Sequence, residues 1–172
     1  MDPHNFAKLE EYAKAYYELR DRKGMTMSRA RKLVLDPNVL GSMMVKMGDA
    51  DAFVSGLTYE YPEVIRPSLQ IHHTEPGAKL VTGVYIMIVE DRTFIFTDAT
   101  VNIDPSAEDL AEIACRAADF AKKLEIEPRV AFLSFSNFGS TPHPLQAKVR
   151  KAVDLVKQRC PDFVVDGEMQ AD

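Results

Sequence analysis

Arg129-Val-Ala-Phe-Leu-Ser-Phe-Ser-Asn-Phe-Gly-Ser-Thr141 is the stretch that decides the class of fold. Its apolar first half reads as a buried strand. That strand runs straight into a hydroxyl-rich turn, and a helix starts near Pro142–Pro144. A strand feeding a helix through a short turn is the building unit of an α/β sheet. Open sheets of this kind bind ligands at the carboxyl ends of their strands. Free backbone N–H groups at the helix start favour an anion such as phosphate. Ser134, Ser136, Asn137, Ser140 and Thr141 add side-chain donors, and Gly139 permits close backbone approach or a positive φ. Ser, Thr and Asn are also good helix caps, so spacing alone leaves the ligand reading and the capping reading open.

Working outward toward the C-terminus, a helix is expected over about Pro144 to Arg159. It buries Leu145, Val149, Ala152, Val153 and Val156. Phe163–Val165 is a last strand, trailed by residues 166–172. Upstream, Ser106 caps a long helix with Asp109 in the capping-box position, and its buried stripe is Leu110, Ile113, Ala114, Ala117, Ala121 and Leu124. Leu80–Val89 and Thr93–Phe96 form a hairpin around Glu90-Asp91-Arg92. Asp98 and Asn102 follow in a polar connection, where they either line a cleft or simply form turns.

The first half is helix-rich. Phe6, Leu9, Ala13 and Tyr16 recur at helical spacing, and Arg20 occupies the next position of that stripe before Gly24 stops the helix. Such a cation either serves the interior or snorkels to solvent. Further helices span Thr26–Leu35 and about Pro37–Met47, the latter with Val39, Leu40, Met43, Met44 and Met47 inward. Ala52–Gly56 is a short strand candidate. Pro62 opens a helix that either bends at Arg66 or begins afresh at Pro67. His72-His73 is polar helix-end decoration, with no further ligand at metal spacing. The pattern predicts an α/β protein with a mainly parallel sheet, an antiparallel hairpin and a helix-rich N-terminal part. The chain stops just after a strand, without the helix that should cover it, so a fragment is expected.

Of 172 residues, 46% are hydrophobic and 27% charged, a globular composition, and the net charge of -5 argues against a nucleic-acid surface. Cys115 and Cys160 are expected to form neither a disulfide framework nor a metal site. No segment approaches the roughly 20 apolar residues of a membrane span, and no signal peptide precedes the first helix, so a cytoplasmic protein is the default. Dinucleotide, P-loop and nucleophile-elbow motifs are missing, as is a Cys/His dyad. What remains is a set of arginines and Ser/Thr/Asn-rich turns, which suits an anionic ligand.

Five segments carry a family resemblance. They are Tyr17-Glu-Leu-Arg-Asp-Arg-Lys-Gly24, Asp49-Ala-Asp-Ala-Phe-Val-Ser-Gly56, Ile65-Arg-Pro-Ser-Leu-Gln-Ile71, Val101-Asn-Ile-Asp-Pro-Ser-Ala-Glu-Asp-Leu-Ala-Glu-Ile113 and Asp166-Gly-Glu-Met-Gln170. In that order, from about Leu9 to the C-terminus, they resemble phosphate acetyl/butyryltransferases. Within the family, Ser134-Phe-Ser-Asn-Phe-Gly-Ser140 and the Gly-Glu-Met-Gln-Ala-Asp ending look like the phosphotransacetylase-like C-terminal region of large malic enzymes. Asn137-Phe138 stands where stand-alone transacetylases usually have Thr-Lys. The resemblance implies a three-layer, isocitrate/isopropylmalate dehydrogenase-like fold, with residues 1–75 in a first lobe and 76–172 in a second.

The resemblance further implies ligand contacts to acetyl-CoA or phosphate by Arg20, Arg66, Ser136, Asn137, Gly139 and Ser140, with Asp98 and Asn102 beside them. The family's serine, arginine and aspartate-base segment lies beyond Asp172, so the chain alone is expected not to catalyse. The expected role is regulatory acetyl-CoA binding and homo-oligomerisation for a malic-enzyme region of the same parent. NADP and Mg or Mn would bind that parent, with no cofactor in this chain. The alternative is a phosphate acetyltransferase, converting acetyl-CoA and phosphate to acetyl phosphate and CoA.

Overall fold

The computed structural model describes residues 5–171; the final residue of the expected tail, Asp172, lies outside them. The chain divides into two compact units, one ending at Ala78 and the other beginning at Lys79. Each has its own apolar core.

The first unit is helical. α1 (Leu9–Arg20) runs through a single 3-10 turn, Asp21–Lys23, to Gly24. α2 (Met27–Leu33) starts where the Thr26 hydroxyl accepts from the Arg29 N–H, and α3 (Pro37–Lys46) where Asp36 caps Asn38 and Val39. These side chains satisfy N–H groups that have no partner inside the helix. Tyr12, Ala13, Tyr16, Val34, Val39, Leu40 and Met43 make the core, with Met44 packed at its edge. Met47, expected inward, is 36% exposed because it is already the residue after the last turn of α3. α4 (Tyr61–His72) is one helix carrying Pro67 inside it, which decides between the two expected courses of the chain at Arg66. Ala52–Gly56 is not a strand: it pairs with no strand among the described residues. An isolated strand has no ladder to stabilise it.

The second unit is mixed. β1 (Val84–Val89) and β2 (Arg92–Thr97) form an antiparallel hairpin. β1 is shorter than expected, since residues 80–83 make no ladder with β2. α5 (Ala107–Lys123) begins at the predicted capping box, where Ser106 and Asp109 each cap the other's backbone N–H. β3 (Arg129–Leu133), α6 (Pro144–Arg159) and β4 (Val164–Met169) follow, and β3 pairs parallel with β4. The expected single, mainly parallel sheet is therefore replaced by two separate two-stranded sheets, one antiparallel and one parallel. The fold is α/β in the broad sense of mixed helices and small sheets.

The core of this unit gathers Ala111, Ala114, Phe132, Ala152, Val153, Val156 and Val165. The alanines let α5 and α6 approach closely. Leu124 and Leu145, expected in the stripes, are exposed, and Gln146 is buried in place of Leu145. Cys115 and Cys160 are joined by a disulfide, against expectation. The close packing of α5 and α6 brings positions 45 residues apart in sequence to a Cα–Cα distance of 6.2 Å, within bridging range.

Candidate functional site

The expected site residues fall in both units. In the first, α1 delivers Arg20 at its last position, and the Arg20 Nε is buried with no hydrogen-bond partner. The residue as a whole is half-buried. Its charge acts on the Tyr16 hydroxyl. Burial pushes that hydroxyl up from its ordinary pKa, against the opposing pull of Arg20 and Arg29. Tyr16 donates to Gln70 Oε1 at 3.3 Å, the Ser42 and Ser68 hydroxyls meet at 3.2 Å, and Ser55 donates to Asn38 Oδ1 at 2.6 Å. A polar seam thus runs through a unit otherwise held by apolar side chains. Beside Asn38 and Ser55 lies an open hollow of about 480 Å³, walled by Pro37, Phe53, Val54 and Tyr59 among others. Arg66, on α4, is exposed.

In the second unit the structure brings Ser136, Asn137, Gly139 and Ser140 together and adds a residue that was not singled out for the site. The β3–β4 register slips between Phe132 and Leu133: Phe132 faces Gly167, but Leu133 faces Met169. Glu168 is the extra residue of this bulge. Bulges re-aim side chains, and this one turns the Glu168 carboxylate beneath the turn, fully buried. Gly167 is required there, at φ 138°, because a Cβ would lie 2.7 Å from the Phe132 carbonyl oxygen.

The N–H groups of Asn137 through Thr141 are used internally. Those of Asn137 and Thr141 donate to the Ser140 and Ser136 hydroxyls, at 3.1 and 3.2 Å. Phe138 donates to the Glu168 carbonyl and Ser140 to the Asn137 carbonyl. Gly139, at φ 84°, donates to Glu168 Oε1. At the helix start, Pro142 and Pro144 have no N–H, and His143 Nδ1 accepts from Leu145. The anion that the Gly139 N–H holds is the protein's own Glu168. Asn137 and Gln170 clasp the turn to the end of β4, Nδ2 to Oε1 at 2.8 Å and N–H to Oδ1 at 2.7 Å.

Burial alone would push the Glu168 carboxyl up. Its own backbone N–H, that of Gly139, the Gln146 side chain and the Arg150 charge outweigh burial and hold it below the usual carboxylate value. Its Oε2 has no hydrogen-bond partner. The Glu168-Met-Gln170 run was legible as part of the resemblance. Its role was not, because nothing in the sequence marks a bulge.

Asp98 and Asn102 sit elsewhere in this unit. Thr82 and Thr97 hydroxyls meet at 3.0 Å, the Asp98 N–H donates to Thr82 Oγ1 at 3.4 Å, and Asn102 Nδ2 donates to the Val81 carbonyl at 3.2 Å. Asn102 thereby ties its connection to the segment ahead of β1. Asp98, at φ 59°, keeps a buried Oδ1 without a partner, and burial raises its carboxyl above the ordinary value, against the pull of Lys148.

Comparison with known proteins matches residues 1–172 to the phosphate acetyl/butaryl transferase family. Phosphate acetyltransferases of Thermoanaerobacterium thermosaccharolyticum and Clostridium acetobutylicum are 45% and 42% identical over all of this chain, which covers 55% and 54% of theirs. The chain thus spans about half the length of these relatives. A phosphotransacetylase structure from Streptococcus pyogenes superposes with a TM-score of 0.86 at 41% identity, over 99% of this chain and 52% of that one. The EutD phosphotransacetylase from Staphylococcus aureus gives 0.85 at 35%, with the same coverage. These names overturn the malic-enzyme reading. The Asn137-Phe138 turn and the Gly167–Asp172 ending that prompted it are local features, outweighed by identity along the whole chain. The chain belongs to the phosphate acetyl/butaryl transferase family.

Proposed function

We propose that this chain is part of a phosphate acetyltransferase, which exchanges the acetyl group between acetyl-CoA and phosphate to give acetyl phosphate and CoA. The observation that carries this reading is 42–45% identity over the full chain to proteins bearing that name. In the direction of CoA acetylation, the thiolate attacks the carbonyl carbon of acetyl phosphate, the C–S bond forms and phosphate leaves. Arginines suit this chemistry by neutralising phosphate and the charge developing at the carbonyl. Arg66, exposed on α4, and Arg20, with its unpartnered Nε, are the residues we assign to that task. The reaction balances with acetyl-CoA and phosphate alone and calls for neither NADP nor a resident metal.

The finer architecture belongs to the same proposal. Coverage of about half of each relative supports a fragment of a three-layer, isocitrate dehydrogenase-like molecule, with its two units as parts of two lobes. Homo-oligomerisation and a cytoplasmic setting go with it. No helix among the described residues is long and apolar enough to cross a membrane.

The test is CoA-dependent consumption of acetyl phosphate, run on this chain and on a version extended to the length of its relatives. Turnover by the extended protein is expected, falling roughly 100-fold or more for Arg66→Ala if that arginine stabilises the transition state. Absence of turnover in both would reject the reading.

A further inference from the structure

We propose that the Cys115–Cys160 disulfide is a redox switch. Closed, it fixes the joint between α6 and β4, the two elements that grip the Glu168 carboxylate from either side. Opened by a thiol reductant, it loosens that grip and with it the turn that Glu168 supports. This control is independent of which reaction the parent protein performs.

Glu168 is held by its own backbone N–H on β4, by the Gly139 N–H in the turn, and by Gln146 and Arg150 on α6. α6 ends at Arg159 and β4 begins at Val164, so residues 160–163 are the whole connection between those two elements. Pro161 follows Cys160 and cannot extend the helix. Cys160 is therefore where the chain leaves α6, and the disulfide pins that point to α5.

α5 has a second and weaker hold on the same connection. Lys122 lies about two turns beyond Cys115, on the same face of the helix. Its Nζ pairs with Asp162 at 3.2 Å and stands 5.9 Å from the centre of the Phe163 ring. The two side chains of that ion pair are 41% and 69% exposed, and exposed pairs contribute little. The covalent bond is thus the stronger of the two anchors.

What the joint restrains is poised to move. Glu168 is fully buried, yet its Oε2 has no hydrogen-bond partner. A buried charge with an unmet acceptor is costly to keep, so the docked carboxylate depends on its surroundings staying in place. The loop closed by the bond contains β3, the turn and α6, whereas Glu168 reaches in from outside that loop, on β4. Opening the loop at Cys160 frees the side of the site that carries Gln146 and Arg150 from the side that carries Glu168.

Cys115 and Cys160 are half-buried, not sealed in the core, and thiol–disulfide exchange needs such access. A reductant thiolate attacks one sulfur, the S–S bond breaks and a mixed disulfide forms. A second reductant thiolate then attacks the reductant sulfur of that mixed disulfide. Two electrons and two protons end on the two cysteines, and the reductant leaves as its own disulfide.

The test equilibrates the 172-residue chain in glutathione buffers of graded thiol-to-disulfide ratio. Alkylation and mass measurement count the free thiols, and NMR follows amide hydrogen exchange. Half-reduction within the glutathione range is expected. In the reduced chain the Gly139 amide, which opens locally, should exchange roughly tenfold faster or more, while the Asp109 amide at the start of α5 stays within about twofold. Cys115→Ser/Cys160→Ser should exchange like the reduced chain in every buffer. A bond that stays closed in reduced glutathione would overturn the switch. So would a Gly139 amide indifferent to the state of the bond, since a structural staple lowers global stability without touching local opening at the turn. Quickening of Gly139 and Asp109 alike would mean that the unit simply unfolds, and would overturn it as well.

Discussion

Glu168 and Asp98 are two carboxylates in one unit whose surroundings push them in opposite directions, and each yields a pH-dependent prediction. Glu168 is held below its ordinary pKa in the folded state. Its contribution to stability is therefore present above the unfolded value and is lost as pH falls through the folded one. Glu168→Gln keeps an oxygen for Gly139 but removes the charge. In urea unfolding, the wild type should exceed this variant at pH 7, and the gap should close toward pH 3. A gap that stays constant across the range would mean that the charge contributes nothing. Asp98 is raised by burial, so its sign reverses: its stabilisation is full below the unfolded value and lost as pH rises through the folded one. Asp98→Asn should raise the melting temperature at pH 7 and have little effect near pH 3. A lowered melting temperature at pH 7 would show that the ionised form has found a partner. At this scale the site was half legible. Ser136, Asn137, Gly139 and Ser140 announce themselves as turn chemistry, whereas Glu168 and Arg150 act through a register slip and a helix face that no local pattern encodes.

At the scale of elements, helix starts were readable because capping is local chemistry. Ser106 caps as its position implies, and Thr26 and Asp36 cap their helices as well. Ser106→Ala removes a hydroxyl that accepts from the Asp109 N–H and unbuckles a reciprocal pair. A loss of about 1 kcal/mol in denaturant unfolding is expected, and less than about 0.3 kcal/mol would mean that Asp109 holds the helix start alone. Pairing is non-local, and there the sequence was a poorer guide. Ala52–Gly56 has strand composition without a strand partner, and Phe163–Val165 extends to Met169 because β3 supplies a ladder. The disulfide was hidden for the same reason, since only the packing of α5 on α6 brings Cys115 to Cys160. A cross-link closing a loop of this length stabilises by about 2–4 kcal/mol. The chain under reducing conditions should lose that much, while a Cys115→Ser/Cys160→Ser double variant should show no redox dependence.

At the scale of the whole molecule, the hairpin is the unfinished part. Alternation along a strand normally buries one face and leaves the other to water. β1 instead exposes Val84, Tyr85, Ile86, Met87, Ile88 and Val89 in succession, so residues on both of its faces are open, and Phe96 on β2 adds to them. Contiguous apolar surface on this scale is rare on monomers, and a hairpin of two strands has two unpaired edges that recruit further strands. The chain should therefore self-associate in a concentration-dependent way in sedimentation velocity. Met87→Lys and Ile88→Lys point to opposite faces of β1, because side chains alternate, and so separate the two ways of covering it. If one face packs against a partner, one substitution should restore the monomer and the other leave the assembly intact. If the strand edge is the recruiting element, neither single change should suffice, and the double variant should. A monomer at every concentration for the unaltered chain would remove the hairpin as an association surface.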